Sequence, residues 1–337
     1  MTDQIKPNLH TLPIDVFYRI LNYLDDFTIL CTMRNVCISM NKMMDNYRRY
    51  KALTTFQLCN SNLSLQQIIN LGNILKQNKT ILTLDIGINE IDDQTICYIA
   101  DGLEQNQTLL KLSLHLNKIG PKGAEYLANS LKRNQTLTRL NLHLNQIGDE
   151  GARHFADTLR YNKTLARLNL IRNQITDQGV KHLAAALQQN HTLSTLYLAE
   201  NQIGHQGAQY LANALQNNHT LTTLYVAQNP ITDEGVRHFA EALQQNKTLT
   251  TLSLKKNQIS DQGAEYLAHV LVQNKTLTTL YLKSNQIGDQ GAISLANALR
   301  QNKTLIFLDL RFNEIGDDGE SHLLEIRRLN RKLKIIF

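Results

Sequence analysis

The chain has 337 residues, 42% of them apolar and 19% charged, with Gly and Pro at only 20 positions together. That composition excludes wholesale disorder, and no stretch reaches the ~20 consecutive apolar residues that a membrane span needs. Thirty-five Lys and Arg against 29 Asp and Glu leave a formal charge of +6, which permits an acidic partner but does not call for nucleic acid.

Residues 1–52 stand apart from the rest of the chain. Val16, Phe17, Ile20, Leu21 and Leu24 fall at offsets 0, 1, 4, 5 and 8, one face of a helix with Pro13 at its entrance. Asp25, Asp26 and Thr28 interrupt it and can cap a second helix carrying Ile29, Leu30, Met33, Val36 and Cys37. A third helix comes next, with Met40, Met43, Met44 and Tyr47 on one face. Three short helices make a bundle too small to be stable alone, so a partner or the first repeat must cover its apolar surface. Leu12, Pro13, Asp15, Val16, Phe17, Ile20, Leu21, Tyr23 and Leu24, with Leu30, Arg34, Val36 and Cys37 further on, resemble an F-box. The resemblance implies docking to the Skp-type adaptor of a cullin–RING ubiquitin ligase through Leu12, Pro13, Val16, Ile20, Leu21, Leu24, Val36 and Cys37. Asp15 stands where that family has Glu, and Met40 where it often has an aromatic residue. The alternative is a helical cap that shields the first repeat from water.

From residue 53 the chain repeats. Asn recurs every 28 residues from Asn89 through Asn313, and residues 53–332 hold ten such units, with 333–337 beginning an eleventh. Taking the unit 137–164, Leu140 and Leu142 point to one side of a short strand and Asn141 to the other. Asn145 ends the strand, where its amide can satisfy main-chain groups and stack into a ladder. Asp149 is placed as a helix N-cap, and Ala152, Phe155, Ala156 and Leu159 form a helical stripe. Asn162 suits a left-handed residue closing the helix. Parallel strands then line a concave side with helices outside, and because helices are wider than strands the stack curves. The pattern L-x-x-L-x-L-x-x-N-x-I is similar to the leucine-rich repeat, and its length with the "GA-x-x-LA-x-AL" segment resembles the ribonuclease-inhibitor subclass. The expected fold is therefore α/β: a horseshoe solenoid over 53–337 preceded by the helical segment 1–52.

Other signals dissolve into the period. N-x-T from Asn78 through Asn302 reads as Asn closing a helix and Thr opening a strand rather than as glycosylation. Four cysteines (Cys31, Cys37, Cys59 and Cys97) do not make a disulfide framework, which points to a reduced, cytoplasmic protein with a nuclear location left open. The Cys and His spacings show no ligand cluster, and the recurring Asp residues are accounted for by capping, so no metal or cofactor is expected. No phosphate loop and no nucleophile–base pair stands out, so catalysis is not expected. Ran GTPase-activating proteins share the repeat length, but here the loops from Glu90–Thr95 through Glu314–Gly319 contain no Arg and the tail "RRLNRKLKIIF" is basic. That tail reads as a terminal cap helix.

The concave positions carry the functional reading. Lys111, Arg139, Arg167, Arg172, Lys255, Lys256, Lys283 and Arg311 project there against Asp85, Glu200 and Asp309. Tyr197, Tyr225 and Tyr281 occupy equivalent places on three strands, with Phe307 and Phe312 near the far end. A basic face with Tyr anchors suits an acidic protein target; the alternative is a solvated face of residues that merely favour strands. Together these features predict a substrate-recruiting ubiquitin-ligase adaptor, or else a general repeat scaffold like those of innate-immune receptors or ribonuclease inhibitor.

Overall fold

The structure, a computed structural model, describes residues 13–22 and 53–337. A helix runs Ile14–Asn22 directly after Pro13, as the sequence predicts, and the partly buried Tyr18 packs against the core of the repeats. The two further predicted helices lie outside the described residues, as do Leu12, Leu24, Val36 and Cys37.

The rest is one parallel sheet whose eleven strands follow sequence order. They are β1 (Thr55–Gln57), β2 (Thr83–Asp85), β3 (Lys111–Ser113), β4 (Arg139–Asn141), β5 (Arg167–Asn169), β6 (Thr195–Tyr197), β7 (Thr223–Tyr225), β8 (Thr251–Ser253), β9 (Thr279–Tyr281), β10 (Phe307–Asp309) and β11 (Lys334–Ile336). From β1 to β10 neighbours pair one period apart, so that Leu112 faces Leu140 and Leu196 faces Leu224, and β11 pairs with β10 at 27 residues. The middle residue of each strand is buried and its flanking residues look outward, the alternation that period-2 geometry requires. Between strands a helix returns the chain, and its small-residue stripe lets it lie close to the sheet. In His205–Asn217 the buried set is Gly207, Ala208, Leu211, Ala212, Ala214 and Leu215. The tail is a cap helix only in its first part, and its last residues open the eleventh unit. Arg327 and Arg328 do sit in a final helix, Asp317–Leu329, but Lys334–Ile336 then closes the sheet as β11.

Two ladders of buried Asn hold the turns. Asn201 donates to the carbonyls of Leu170 (3.0 Å), Leu198 (3.0 Å) and Ala199 (3.2 Å). Its Oδ1 accepts from the N–H groups of Asn173 (2.9 Å) and Ile175 (3.0 Å) in the preceding repeat. These bonds sustain the left-handed residue just before each ladder Asn, even where it is branched, as at Ile88 (φ 58°) and Leu144 (φ 57°). The helix-end Asn residues are also buried, but they are not left-handed as expected: Asn134 has φ −68° and ψ 126°. The reason is that the side chain serves instead. Asn162 Oδ1 accepts from the N–H of Thr164 (3.0 Å) and Leu165 (2.7 Å), and its amide donates to Leu131 O (2.7 Å). The N-x-T repeats are thus turns whose Asn amides are enclosed.

The recurring Asp caps a helix, though not its own. Asp149 lies in the first turn of Gly148–Leu159, a helix that has no side-chain cap. Its carboxylate crosses to the next repeat and accepts from Thr176 N–H (2.7 Å), Gly179 N–H (3.0 Å) and the Thr176 hydroxyl (2.6 Å). Asp93, Asp177, Asp233, Asp261 and Asp289 do the same one repeat on. Pro121 and His205 interrupt this series, and the helices one repeat later, Gly148–Leu159 (which begins at a left-handed Gly148, φ 61°) and Asp233–Gln245, have no side-chain cap. Capping therefore joins repeats as well as satisfying helix ends.

Candidate functional site

On the concave side each strand offers its first and third residues. In the first column Lys111, Arg139 and Arg167 stand in register on β3, β4 and β5, all exposed. Among the described residues none of the three has a carboxylate partner. In the third column Tyr197, Tyr225 and Tyr281 come from β6, β7 and β9. Tyr197 and Tyr225 stack with ring centroids 4.9 Å apart at 19°, and Tyr225 meets Tyr281 at 6.2 Å. The intervening Ser253 on β8 is buried and small, so these two rings close over it. Phe307, from the first column of β10, extends the row at 5.3 Å from Tyr281. Burial, with Tyr281 and Tyr197 beside it, raises the Tyr225 hydroxyl above the ordinary phenol range, so it stays neutral.

Charge is divided unevenly along this face. Arg311 is not a free cation: its guanidinium makes two bonds to the buried Asp309, at 3.0 and 2.9 Å. Arg172 approaches Glu200 at 3.9 Å. Lys255 and Lys283 lie two residues past Ser253 and Tyr281, with Lys283 Nζ 4.6 Å from the centre of the Phe312 ring. Lys256 sits in the left-handed turn position, 3.5 Å from Gln228 Oε1. The aromatic row is thus flanked by Lys111, Arg139 and Arg167 on one side and by Lys255, Lys256 and Lys283 on the other. A hollow of about 320 Å³ runs from Gln57 and Asp85 past Arg139 and Arg167 to Tyr197, joining the first basic column to the row.

The N-terminal motif is seen in part. Pro13 and Asp15 are exposed, Val16 is half-buried, and Ile20 and Leu21 fall within the helix Ile14–Asn22. At the other end of the concave face, Cys59, Asp85 and His115 come together, which the linear spacings of Cys and His gave no sign of. Burial and the hydrogen-bonded Asp85 carboxylate push the Cys59 thiol up to about 11, making it a weak nucleophile at neutral pH. Comparing equivalent columns across repeats would have found this group, since the residues differ by one period less two and one period plus two.

Stacked strand–helix units, paired in sequence order and tied by Asn ladders, define a leucine-rich-repeat solenoid. The TMOD/LMOD leucine-rich domain matches twice, over residues 116–227 and 228–336, together more than half of the chain. The chain belongs to this leucine-rich-repeat family. Among solved structures it is similar to leiomodin-1 actin-binding site 2 (ABS2), with 22% identity, 53% of this chain and 96% of that chain covered, and a TM-score of 0.40. No curated protein matches. Among the described residues no helix is long and apolar enough to cross a membrane.

Proposed function

We propose that this chain is a non-catalytic binding module whose concave face holds an acidic segment of a protein target. The observation that carries the reading is the row of rings from Tyr197 to Phe307 flanked by Lys and Arg side chains. Amphipathic rings that are already packed against one another lose little freedom on binding, which favours them as anchors. The cations, exposed at Lys111, Arg139, Arg167 and Lys256 and half-buried at Lys255 and Lys283, would act chiefly on encounter, because their fields are screened within about 8 Å at physiological salt. Changing Lys255, Lys256 and Lys283 together to Glu is expected to slow association with a target protein isolated by affinity capture on the full chain, and to flatten its salt dependence. Rates unaltered at two salt concentrations would remove these lysines from the site.

A second reading concerns the front of the molecule. The helix Ile14–Asn22 starts where the F-box pattern calls for one, with Pro13, Ile14 and Asp15 exposed at its start. We infer on that basis that residues 1–52 dock a Skp-type adaptor, which would make the chain the target-recognition subunit of a cullin ubiquitin ligase. The double substitution Leu12→Ala with Pro13→Ala should abolish co-purification of the adaptor while the repeats stay folded. Adaptor binding that survives this change leaves the segment as a cap on the first repeat, a role to which the packing of Tyr18 against the repeat core also conforms.

A further inference from the structure

Three donor-bearing side chains from three successive repeats meet at the β1–β3 end of the sheet. Cys59 lies two residues past β1, Asp85 ends β2, and His115 lies two residues past β3. The thiol sulfur, a carboxylate oxygen and a ring nitrogen all lie within 4.8 Å of one another, and Asp85 Oδ1 is 3.5 Å from His115 Nδ1. The outer contacts orient these groups. Gly87 N–H donates to Asp85 Oδ1 at 3.1 Å, the Ser113 hydroxyl is 2.9 Å from His115 Nδ1, and Asn141 Nδ2 donates to Ser113 Oγ at 3.2 Å.

A glycine makes the seat for the ring. Position 87 shares a column with Cys59 and His115, and every other repeat carries a side chain there, from His143 through Arg311. A Cβ on Gly87 would stand 2.1 Å from His115 Cε1 and 2.3 Å from Nδ1, so any side chain at 87 would expel the imidazole. Through that gap the ring reaches Asp85 in the preceding repeat. Asp309 shows what happens without the gap: it occupies the same column as Asp85 and is closed off by Arg311, two residues on. No Lys or Arg among the described residues pairs with Asp85, which leaves its carboxylate to the His and the Cys.

We propose that Cys59, Asp85 and His115 form a zinc site, with three protein donors and a fourth position left to water. A sulfur, an imidazole nitrogen and a carboxylate oxygen suit Zn²⁺, whereas Ca²⁺ and Mg²⁺ take sets of oxygen ligands. Tetrahedral ligation at usual zinc bond lengths sets donors about 3.3–3.6 Å apart, so the group must close by about 1 Å, within the reach of side-chain rotation. Because each donor comes from a different repeat, the ion would clip the first three units together and stabilise the folded state by mass action.

The test is a titration of the metal-stripped full chain with Co²⁺, then displacement with Zn²⁺. One equivalent of Co²⁺ should give a thiolate-to-cobalt charge-transfer band that Zn²⁺ abolishes. Cys59→Ser should remove the band. Gly87→Ala leaves all three donors in place, yet by displacing the ring it should weaken Zn²⁺ binding about tenfold or more, the range seen when outer-shell groups are lost. Circular dichroism checks that both variants keep the repeat fold. Absence of the band in the unaltered chain would overturn the proposal, as would a band that survives Cys59→Ser and so belongs to another cysteine.

Discussion

Replacing Asn201 with Ala is expected to be the most damaging single change in the repeats for its size. The substitution removes one acceptor serving two N–H groups, on Asn173 and Ile175, and one amide serving three carbonyls. Asn201 is only 9% exposed, so water cannot take over these contacts. At about 1–3 kcal/mol for each buried group left unpaired, the two N–H groups alone put the loss at several kcal/mol. Neighbouring repeats share their interfaces, so the loss should appear as a lower midpoint of a cooperative transition rather than as local fraying. Asn313 provides the internal control. It makes equivalent bonds to Asn285 N–H (3.1 Å) and Ile287 N–H (3.2 Å) but is only half-buried near the end of the stack. Asn313→Ala should therefore cost less than Asn201→Ala. Equal midpoints for the two variants would show that burial does not set the cost of breaking the ladder.

The second large effect is expected at Tyr225, which has a ring neighbour on each side and makes the closest stack in the row. Truncation to Ala breaks the 4.9 Å stack with Tyr197 and the 6.2 Å contact with Tyr281 together, and empties the centre of the row. Central aromatic anchors are worth about 2 kcal/mol or more at interfaces, so dissociation of the target should speed up about thirtyfold. Association should hardly change, because Tyr225 carries no charge to steer the encounter. Tyr225→Phe keeps the ring and the stack. If the ring is the anchor, that variant should bind nearly as well as the unaltered chain. A dissociation rate left unchanged by Tyr225→Ala would move the target contact off this row.

Much of the fold is legible in the residues because one period fixes so much at once. With Asn recurring every 28 residues, alternation within Leu140–Leu142 sets the buried face, and the register Leu112 to Leu140 to Leu168 comes from stacking identical units. Contacts that run between repeats are not legible in the same way. The sequence shows Asp149 at a helix entrance, but its partner Thr176 is 27 residues away, and only the stack reveals that the cap crosses over. Asn162 departs from its expected conformation for a related reason: Asn tolerates a left-handed backbone, yet here its side chain satisfies the turn directly. On the concave face the Tyr column is readable, while Phe307 joins it from the neighbouring column by ring size. Arg311 counts as a free cation in the sequence, although residues two apart on an extended chain share a side and can pair, as it does with Asp309. The Cys59, Asp85 and His115 group lies across three repeats, beyond any linear motif.

Site-specific photo-crosslinking distinguishes a protein target held on the strands from one held on the helices. A photoreactive residue at Thr223, on β7 beside the aromatic row, is compared with one at Glu241, exposed on the outer helix Asp233–Gln245 of the next turn. Both are placed in the full chain and irradiated in complex with the captured target. A target on the concave strands should be crosslinked from position 223 and not from position 241. A target crosslinked from 241 but not from 223 would contradict that placement.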